Sequence, residues 1–181
     1  MMYLKSPNLY RSGIDWMFKH SGFSEEERFK LYGLFIPGNG GGGKTDVIVR
    51  SIAEYGKDAN ILLAGPTSTQ EESLKELNIG STAIVDNIVK KILGEEKYIE
   101  CTNDASDESR WGNSTMDFVK IGNVKTPVIN KNVNINNINT GMILIDEATH
   151  VDTWKLSVLS RYAEKFNIPL ILVGDNFQQG K

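Results

Sequence analysis

The chain has 181 residues, about the length of one domain at roughly 150 residues per domain, and it is too short for two full domains. Its 20 Lys and Arg against 23 Asp and Glu give a net charge of −3, which excludes a uniformly basic surface, so contact with nucleic acid would need a local patch. Hydrophobic residues make up 40% and charged residues 24%, which argues against disorder.

The sequence shows no pattern of a secretory signal, a membrane span or an internal disulfide. No apolar run approaches the ~18 residues that would span a bilayer, and residues 1–16 lack the apolar core of a secretory signal. The one cysteine, Cys101, cannot form an internal disulfide or a cysteine-based metal site. We therefore expect a cytoplasmic protein with no membrane partner.

Short apolar runs alternate along the chain with segments of helical spacing. Residues 1–23 are expected to form an N-terminal arm, and Ser24 starts a helix with a capping box to Glu27. The elements predicted after it are a strand over 31–36, a helix over 44–55, a strand over 61–64, helices over 71–77 and 82–93, a strand over 142–146, a helix over 152–166 and a strand over 168–173. Continuous apolar strands separated by helices predict an α/β fold, with a mostly parallel sheet and helices on both faces.

A polar segment of about 45 residues, 95–140, interrupts this alternation. It is longer than ordinary connections, so it is predicted to be an irregular insertion. Its end, 128–135, alternates weakly like a strand.

The octapeptide GNGGGGKT satisfies the pattern G-x-x-x-x-G-K-[ST] and holds five of the 17 glycines. Glycines let bare backbone curl around a triphosphate with its N–H groups pointing inward, and the helix that follows adds its positive N-terminal end. A merely flexible loop would require neither the strand before it nor the Lys-Thr at its end. The predicted nucleotide-binding residues are Gly38, Asn39, Gly40, Gly41, Gly42, Gly43, Lys44 and Thr45, with Lys44 on the β- and γ-phosphates and Thr45 on Mg²⁺.

Two carboxylates end the apolar strand Met142–Ile145. Ligands of open α/β sheets bind beyond the carboxyl ends of the strands, so Asp146 is predicted to hold Mg²⁺ and Glu147 to orient and deprotonate an attacking water. The alternative is a pair of solvated carboxylates that cap the next helix.

Two further strand ends carry polar residues. Asp175 and Gln178 follow the last strand, where they could sense the γ-phosphate. Pro66, Thr67 and Ser68 follow the strand over 61–64, and hydroxyls there suit a nucleic-acid phosphate. Alternatively, Thr69 caps the helix that begins with Glu71 and Glu72.

The four stretches GNGGGGKT, LLAGPTSTQ, ILIDEATHVD and LILVGDNFQQ stand in one order over roughly residues 30–180. Together they resemble the first motor domain of the superfamily 1 DNA helicases, in particular the RecD-like (1B) branch. The resemblance implies a RecA-like ATPase domain over 24–181 that uses ATP and Mg²⁺ and acts on single-stranded or forked DNA. It also implies Lys44, Glu147 and Gln178 as catalytic residues and Pro66 and Thr67 as contacts to the DNA backbone.

Helicases of this kind insert a strand-separating β-hairpin, the pin, in the slot that 95–140 occupies. Trp111 and Phe118 are the large aromatics of that segment. They would either stack on a base as a wedge or anchor the insertion to the core.

The family also completes its site with arginines from a second RecA-like domain. Arg161 is the only late arginine, and its spacing predicts a solvated position on a helix face. We therefore expect the second domain in a longer chain or another subunit, and weak activity for these 181 residues alone. The family's adenine-reading Gln has no counterpart, since no Gln occurs before residue 70, so nucleotides other than ATP stay open. A nucleotide-gated interaction module without motor activity is the alternative function, and a P-loop kinase ranks third because only three Arg follow the loop.

Overall fold

The computed structural model describes residues 34–38, Arg50 and residues 60–175. Five parallel strands form its central sheet in the order β1-β7-β6-β2-β3. Their bounds are β1 Leu34–Gly38, β2 Ile61–Gly65, β3 Ser81–Ile84, β6 Met142–Ile145 and β7 Leu170–Asp175. The other two strands, β4 Met116–Ile121 and β5 Val124–Ile129, form a separate antiparallel hairpin.

Four helices belong to the described part of the chain: α1 Ser68–Glu76, α2 Val85–Leu93, α3 Glu95–Ala105 and α4 Thr153–Phe166. Alternate strand residues face opposite sides of the sheet. On one side, Ile143 and Ile145 join a large core with α2, α3 and α4, while on the other Leu63 and Leu144 pack with Leu74 of α1. The predicted α/β architecture, with a parallel sheet covered on both faces, is confirmed.

Strand β1 contains a proline, Pro37, next to its last residue. The strand runs through Pro37 to Gly38, two residues beyond the predicted end, and pairs only with β7 among the described strands. Proline lacks the N–H that a central strand would donate, so it fits a strand with one unpaired side.

The helix predicted over 82–93 is wrong in its first three residues, because Thr82, Ala83 and Ile84 belong to β3. Gly80 permits this strand, since a Cβ there would lie 2.7 Å from the carbonyl oxygen of Ile61. The chain therefore approaches β2 closely enough to pair with it, and α2 begins only at Val85.

The insertion is more regular than predicted. Residues 95–105 form α3, which buries Tyr98 and Cys101, and a 3-10 helix follows at Glu108–Arg110. The hairpin occupies 116–129, whereas the residues after Ile129 that alternate weakly in the sequence are not a strand. The helix escaped prediction because its polar residues outnumber the few apolar ones that face the core. The domain boundaries at 23/24 and 95–140 stay a prediction.

Candidate functional site

The carboxyl ends of all five sheet strands meet at one edge, because every pair in the sheet is parallel. Ile145 pairs with Leu172, so Asp146 lies level with Val173 of β7, and Gly38 pairs with Asp175 two residues further on. Two strand spacings of ~4.8 Å separate β1 from β6. With the two-residue offset along the strands added, the start of the glycine-rich loop and the acidic strand end lie roughly 12 Å apart at this edge.

Asp146 and Glu147 differ in their surroundings although they are neighbours. Asp146 is 9% exposed, and its N–H donates to the carbonyl of Ala64 at 2.8 Å, which extends the β2–β6 ladder by one residue. Glu147 has the left-handed backbone angles φ 52° and ψ 39°, which are uncommon for a residue with a side chain. This turn leaves the Glu147 carboxylate a third exposed while Asp146 stays buried.

A 3-10 helix, Ala148–His150, connects this pair to α4. The Nε2 of His150 lies 3.7 Å from Oε2 of Glu147. The hydroxyl of Thr149 is buried and has no hydrogen-bond partner within the described part of the chain. A buried hydroxyl without a partner is uncommon, because buried polar groups are nearly always paired.

Lys155 ties the start of α4 to the start of α2. Its ammonium lies 2.7 Å from Asp86 and 2.9 Å from Asp152, the predicted first residue of the helix. Burial lowers the pKa of Lys155, but the hydrogen bonds to both carboxylates outweigh this effect and leave the pKa raised. The bridge fixes the helix that follows the acidic pair.

Thr67, not Thr69, caps α1. The Thr67 hydroxyl accepts from the backbone N–H of Gln70 at 3.4 Å, and Oε1 of Gln70 accepts from the backbone N–H of Thr67 at 3.1 Å, so a capping box is complete. Gly65 allows this packing, because a Cβ there would lie 2.7 Å from Cβ of Gln70. A threonine of this turn does cap the helix, as the alternative expects, but the residue is Thr67 and not Thr69. Thr67 and Ser68 remain exposed at the edge that carries Asp146.

Trp111 is partly buried and donates from Nε1 to the carbonyls of Asp104 and Ala105 at 3.2 and 3.3 Å. These bonds fix it to the end of α3. The geometry favours the anchoring alternative for this tryptophan over the wedge.

Phe118 has a different environment on β4. It is 41% exposed, and the ammonium of Lys125 lies 4.2 Å from the centroid of its ring. Lys120 pairs with Lys125, and alternate residues share a face, so one face of the hairpin carries an aromatic ring and two cations. The opposite face ends in Ile121 and Val124.

Arg161 is not the solvated charge that was predicted. It is partly buried on α4, donates to the carbonyl of Asn130 at 2.6 Å and also donates to the carbonyl of Val133. Burial lowers its pKa. Helical spacing alone could not reveal this role, because the partners are backbone groups of the insertion some 30 residues earlier.

Other predicted residues lie outside the described residues: Asn39–Thr45, Gln178, the arm 1–23 and the helices from Ser24 and Lys44. Gly38 and Asp175 are described as strand residues. Asp104 was not predicted at all. It is buried and accepts from Arg110, Asn113 and Thr115, which holds the turn after α3. In the sequence, only its helical spacing of three residues from Cys101 could have indicated that Asp104 is buried.

A RecA-like α/β sheet, with a glycine-rich loop sequence and an acidic strand end at one edge, defines a P-loop NTPase domain. The model of a family described as AAA domain matches residues 33–181, so the chain belongs to this family of P-loop nucleotide-binding domains. The curated proteins contain no match to it. No helix in the described ranges is long and apolar enough to cross a membrane.

Proposed function

We propose that this P-loop domain is the N-terminal motor domain of a DNA helicase of the RecD-like superfamily 1 branch, and that it couples hydrolysis of Mg²⁺-ATP to movement on single-stranded DNA. The carrying observation is the hairpin face of Phe118, Lys120 and Lys125 on a domain whose acidic pair lies at the carboxyl edge of the sheet. A domain that only binds nucleotide does not require an exposed aromatic ring beside two lysines.

The residues at the sheet edge fit a magnesium-bound triphosphate. Mg²⁺ prefers hard oxygen ligands and is usually held by one or two carboxylates together with phosphate oxygens. Among the described residues, no cluster of three or more His, Cys, Asp or Glu side chains forms a closed metal site, which suits an ion shared with a phosphate. Asp146 and Thr45 would hold the ion, and Lys44 would bind the phosphates.

Glu147 is proposed as the general base. Its carboxylate is partly exposed next to the buried Asp146, so it can reach a water that Asp146 cannot. Asp175 and Gln178 would contact the γ-phosphate region, and a second RecA-like domain would supply the arginines that stabilise charge in the transition state.

Single-stranded DNA would contact two places. Thr67 and Ser68 are exposed at the N-terminus of α1, and Pro66 precedes them; helix N-termini favour phosphate. Phe118 would stack on a base, which single-stranded nucleic acids offer at every position. Trp111 would not contact DNA in this proposal and would fix the insertion to the end of α3.

A nucleotide-gated interaction module is the second candidate. The tip of the hairpin favours it, because Ile121 and Val124 are 61% and 65% exposed and could bind a protein partner. This function would use the opposite face of the hairpin and would need no oligonucleotide.

A titration of fluorescein-labelled oligothymidylate of about 15 nucleotides, followed by anisotropy at low salt, tests the proposal. We expect binding by the wild-type chain and about tenfold weaker binding by Phe118→Ala, because base stacking contributes ~1–3 kcal/mol. Ile99→Ala is the matched control, since Ile99 is 52% exposed and belongs to α3, not to the hairpin.

Absence of oligonucleotide binding, with Mg²⁺-ATP still bound, would exclude the motor and favour the interaction module. Equal weakening by Phe118→Ala and Ile99→Ala would exclude the hairpin face as the DNA contact.

A further inference from the structure

The segment between the hairpin and β6, residues 130–141, is called the strap here. It leads directly into the strand that ends in Asp146. The strap has no regular secondary structure, so its backbone groups need other partners. Some bond to backbone groups or to asparagine side chains of the strap itself, and others bond to side chains of neighbouring elements. Most of these side chains belong to α4.

Three residues of α4 at helical spacing contact the end of the hairpin and the strap in sequence order. The Ser157 hydroxyl accepts from the N–H of Ile129 at 2.8 Å. One turn later, Arg161 donates to the carbonyls of Asn130 and Val133, and after another turn Lys165 donates to the carbonyl of Ile135 at 3.1 Å. Tyr162, beside Arg161, adds a contact further along the strap: its hydroxyl accepts from the N–H of Ile138 at 3.2 Å. The chain therefore follows α4 in parallel, with polar contacts at each of these turns.

Among Ser157, Arg161 and Lys165, Arg161 is the central residue and the only one that donates to two carbonyls. Its guanidinium presents donors in a planar fork, so two carbonyls three residues apart fix its orientation. Its partner Asn130 is the junction of the hairpin: the Asn130 N–H donates to the carbonyl of Thr115 at 2.9 Å, and its side chain donates to Asp117 at 2.9 Å. Arg161 thus holds both strands of the hairpin through one residue.

Helix α4 is also the element between the two acidic strand ends. It begins at Thr153, shortly after Asp146 and Glu147, and leads into β7, which ends at Asp175. Whatever displaces α4 during nucleotide turnover would displace the base of the hairpin with it.

We infer that Arg161 is a positioning residue that locks the hairpin to α4, so that the hairpin moves as a rigid arm of the nucleotide site. The functional meaning of the arm rests on the proposed motor function, whereas the lock itself is a property of the chain without DNA.

Pairs of nitroxide labels test the lock. One label is placed at the hairpin tip by Ile121→Cys and one on α4 by Ser160→Cys, both at exposed positions. Cys101 can stay, because it is fully buried and burial raises the pKa of its thiol to about 11. Double electron–electron resonance then gives the distribution of tip-to-helix distances, without DNA.

We expect a narrow distribution for wild-type Arg161 and one at least about twice as broad for Arg161→Gln. Arg161→Lys should be intermediate, since an ammonium cannot span both carbonyls with a planar fork. Lys131→Gln is the matched control, because it removes an exposed charge from the strap and should leave the distribution unchanged. Circular dichroism melts show whether each variant is folded.

An unchanged distribution in folded Arg161→Gln would overturn the inference, as would equal broadening by Lys131→Gln. Should Arg161→Gln fail to fold, Arg161→Lys decides: broadening supports the lock, and a wild-type distribution contradicts it. Failure to bind oligonucleotide would refute the proposed motor and leave this measurement intact.

Discussion

The edge of the sheet and the insertion are built by different forces. At the edge, the positions of Gly38, Asp146 and Asp175 follow from parallel pairing of backbones, and side chains have little part in placing them. In the insertion, Asp104 and two residues of α4, Ser157 and Arg161, place the chain through contacts to groups 11 to 31 residues away. The edge is therefore expected to tolerate changes of side chain without unfolding, whereas the insertion is expected to depend on a few polar side chains for its shape.

The largest expected effect is on catalysis at the edge. Glu147→Gln keeps the size of the side chain and removes the base, so we expect NTP turnover to fall by at least ~10²-fold while nucleotide affinity changes little. Phosphate release measures the turnover, and titration with a fluorescent ATP analogue measures the nucleotide affinity. Glu96→Gln on α3 is the control and should keep full turnover; equal losses in both variants would refute the base.

The largest expected effect on stability lies in the insertion. Asp104→Ala removes the carboxylate that accepts from Thr115, Asn113 and Arg110, and leaves the buried Thr115 hydroxyl with only its longer bond to Oδ1 of Asn113. We expect the free energy of unfolding to drop by about 2–4 kcal/mol, as measured by urea denaturation. Glu96→Ala, an exposed change, should cost little, and a loss below ~1 kcal/mol for Asp104→Ala would contradict the comparison.

A smaller effect is expected at the cap of α1. Thr67→Ala removes the capping box and should lower the free energy of unfolding by about 1 kcal/mol, whereas Ser68→Ala next to it should change it little. Denaturation curves of both variants test this. If Thr67→Ala and Ser68→Ala weaken oligonucleotide binding equally, Thr67 contacts DNA in addition to capping α1. If neither substitution weakens binding, this turn is not part of the proposed DNA site.

The smallest effect is expected from the bridge of Lys155 to Asp86 and Asp152. Because the pKa of Lys155 is raised in the folded chain, its stabilisation is complete below the ordinary value of 10.5 and is lost as the pH rises through the folded value. Lys155→Met should cost about 0.5–1 kcal/mol at pH 7 and less as the pH rises above the ordinary pKa of 10.5. Thermal melts across this range measure it, and a cost that does not shrink at high pH would exclude the bridge as its cause.

The contrast between the two regions also explains what the sequence could predict. Continuous apolar runs such as Met142–Ile145 predict buried parallel strands, and parallel strands put their polar ends at one edge, so Asp146 and Glu147 were located from the sequence alone. Residues 82–84 are predicted as helix although they belong to a strand, because their apolar residues merge with the helical spacing of α2.

The insertion could not be predicted in the same way. Its helix has few apolar residues, and its fixed points are single long-range bonds that leave no periodic pattern. Arg161 shows this best: its spacing indicates an exposed helix face, yet its partners are carbonyls of Asn130 and Val133. For Trp111 the sequence leaves anchoring and stacking open, and it is the contacts of its Nε1 to the end of α3 that favour anchoring.

The most direct test of the central proposal is whether the nucleotide at the edge changes the affinity for DNA. Oligothymidylate affinity is measured with and without a non-hydrolysable Mg²⁺-ATP analogue, in the wild-type chain and in Lys44→Ala, with Lys91→Ala as the surface control. We expect a change of at least about fivefold in the wild type and in Lys91→Ala, and none in Lys44→Ala. Equal affinity with and without nucleotide in the wild type would contradict the proposal that this domain couples a nucleotide site to DNA.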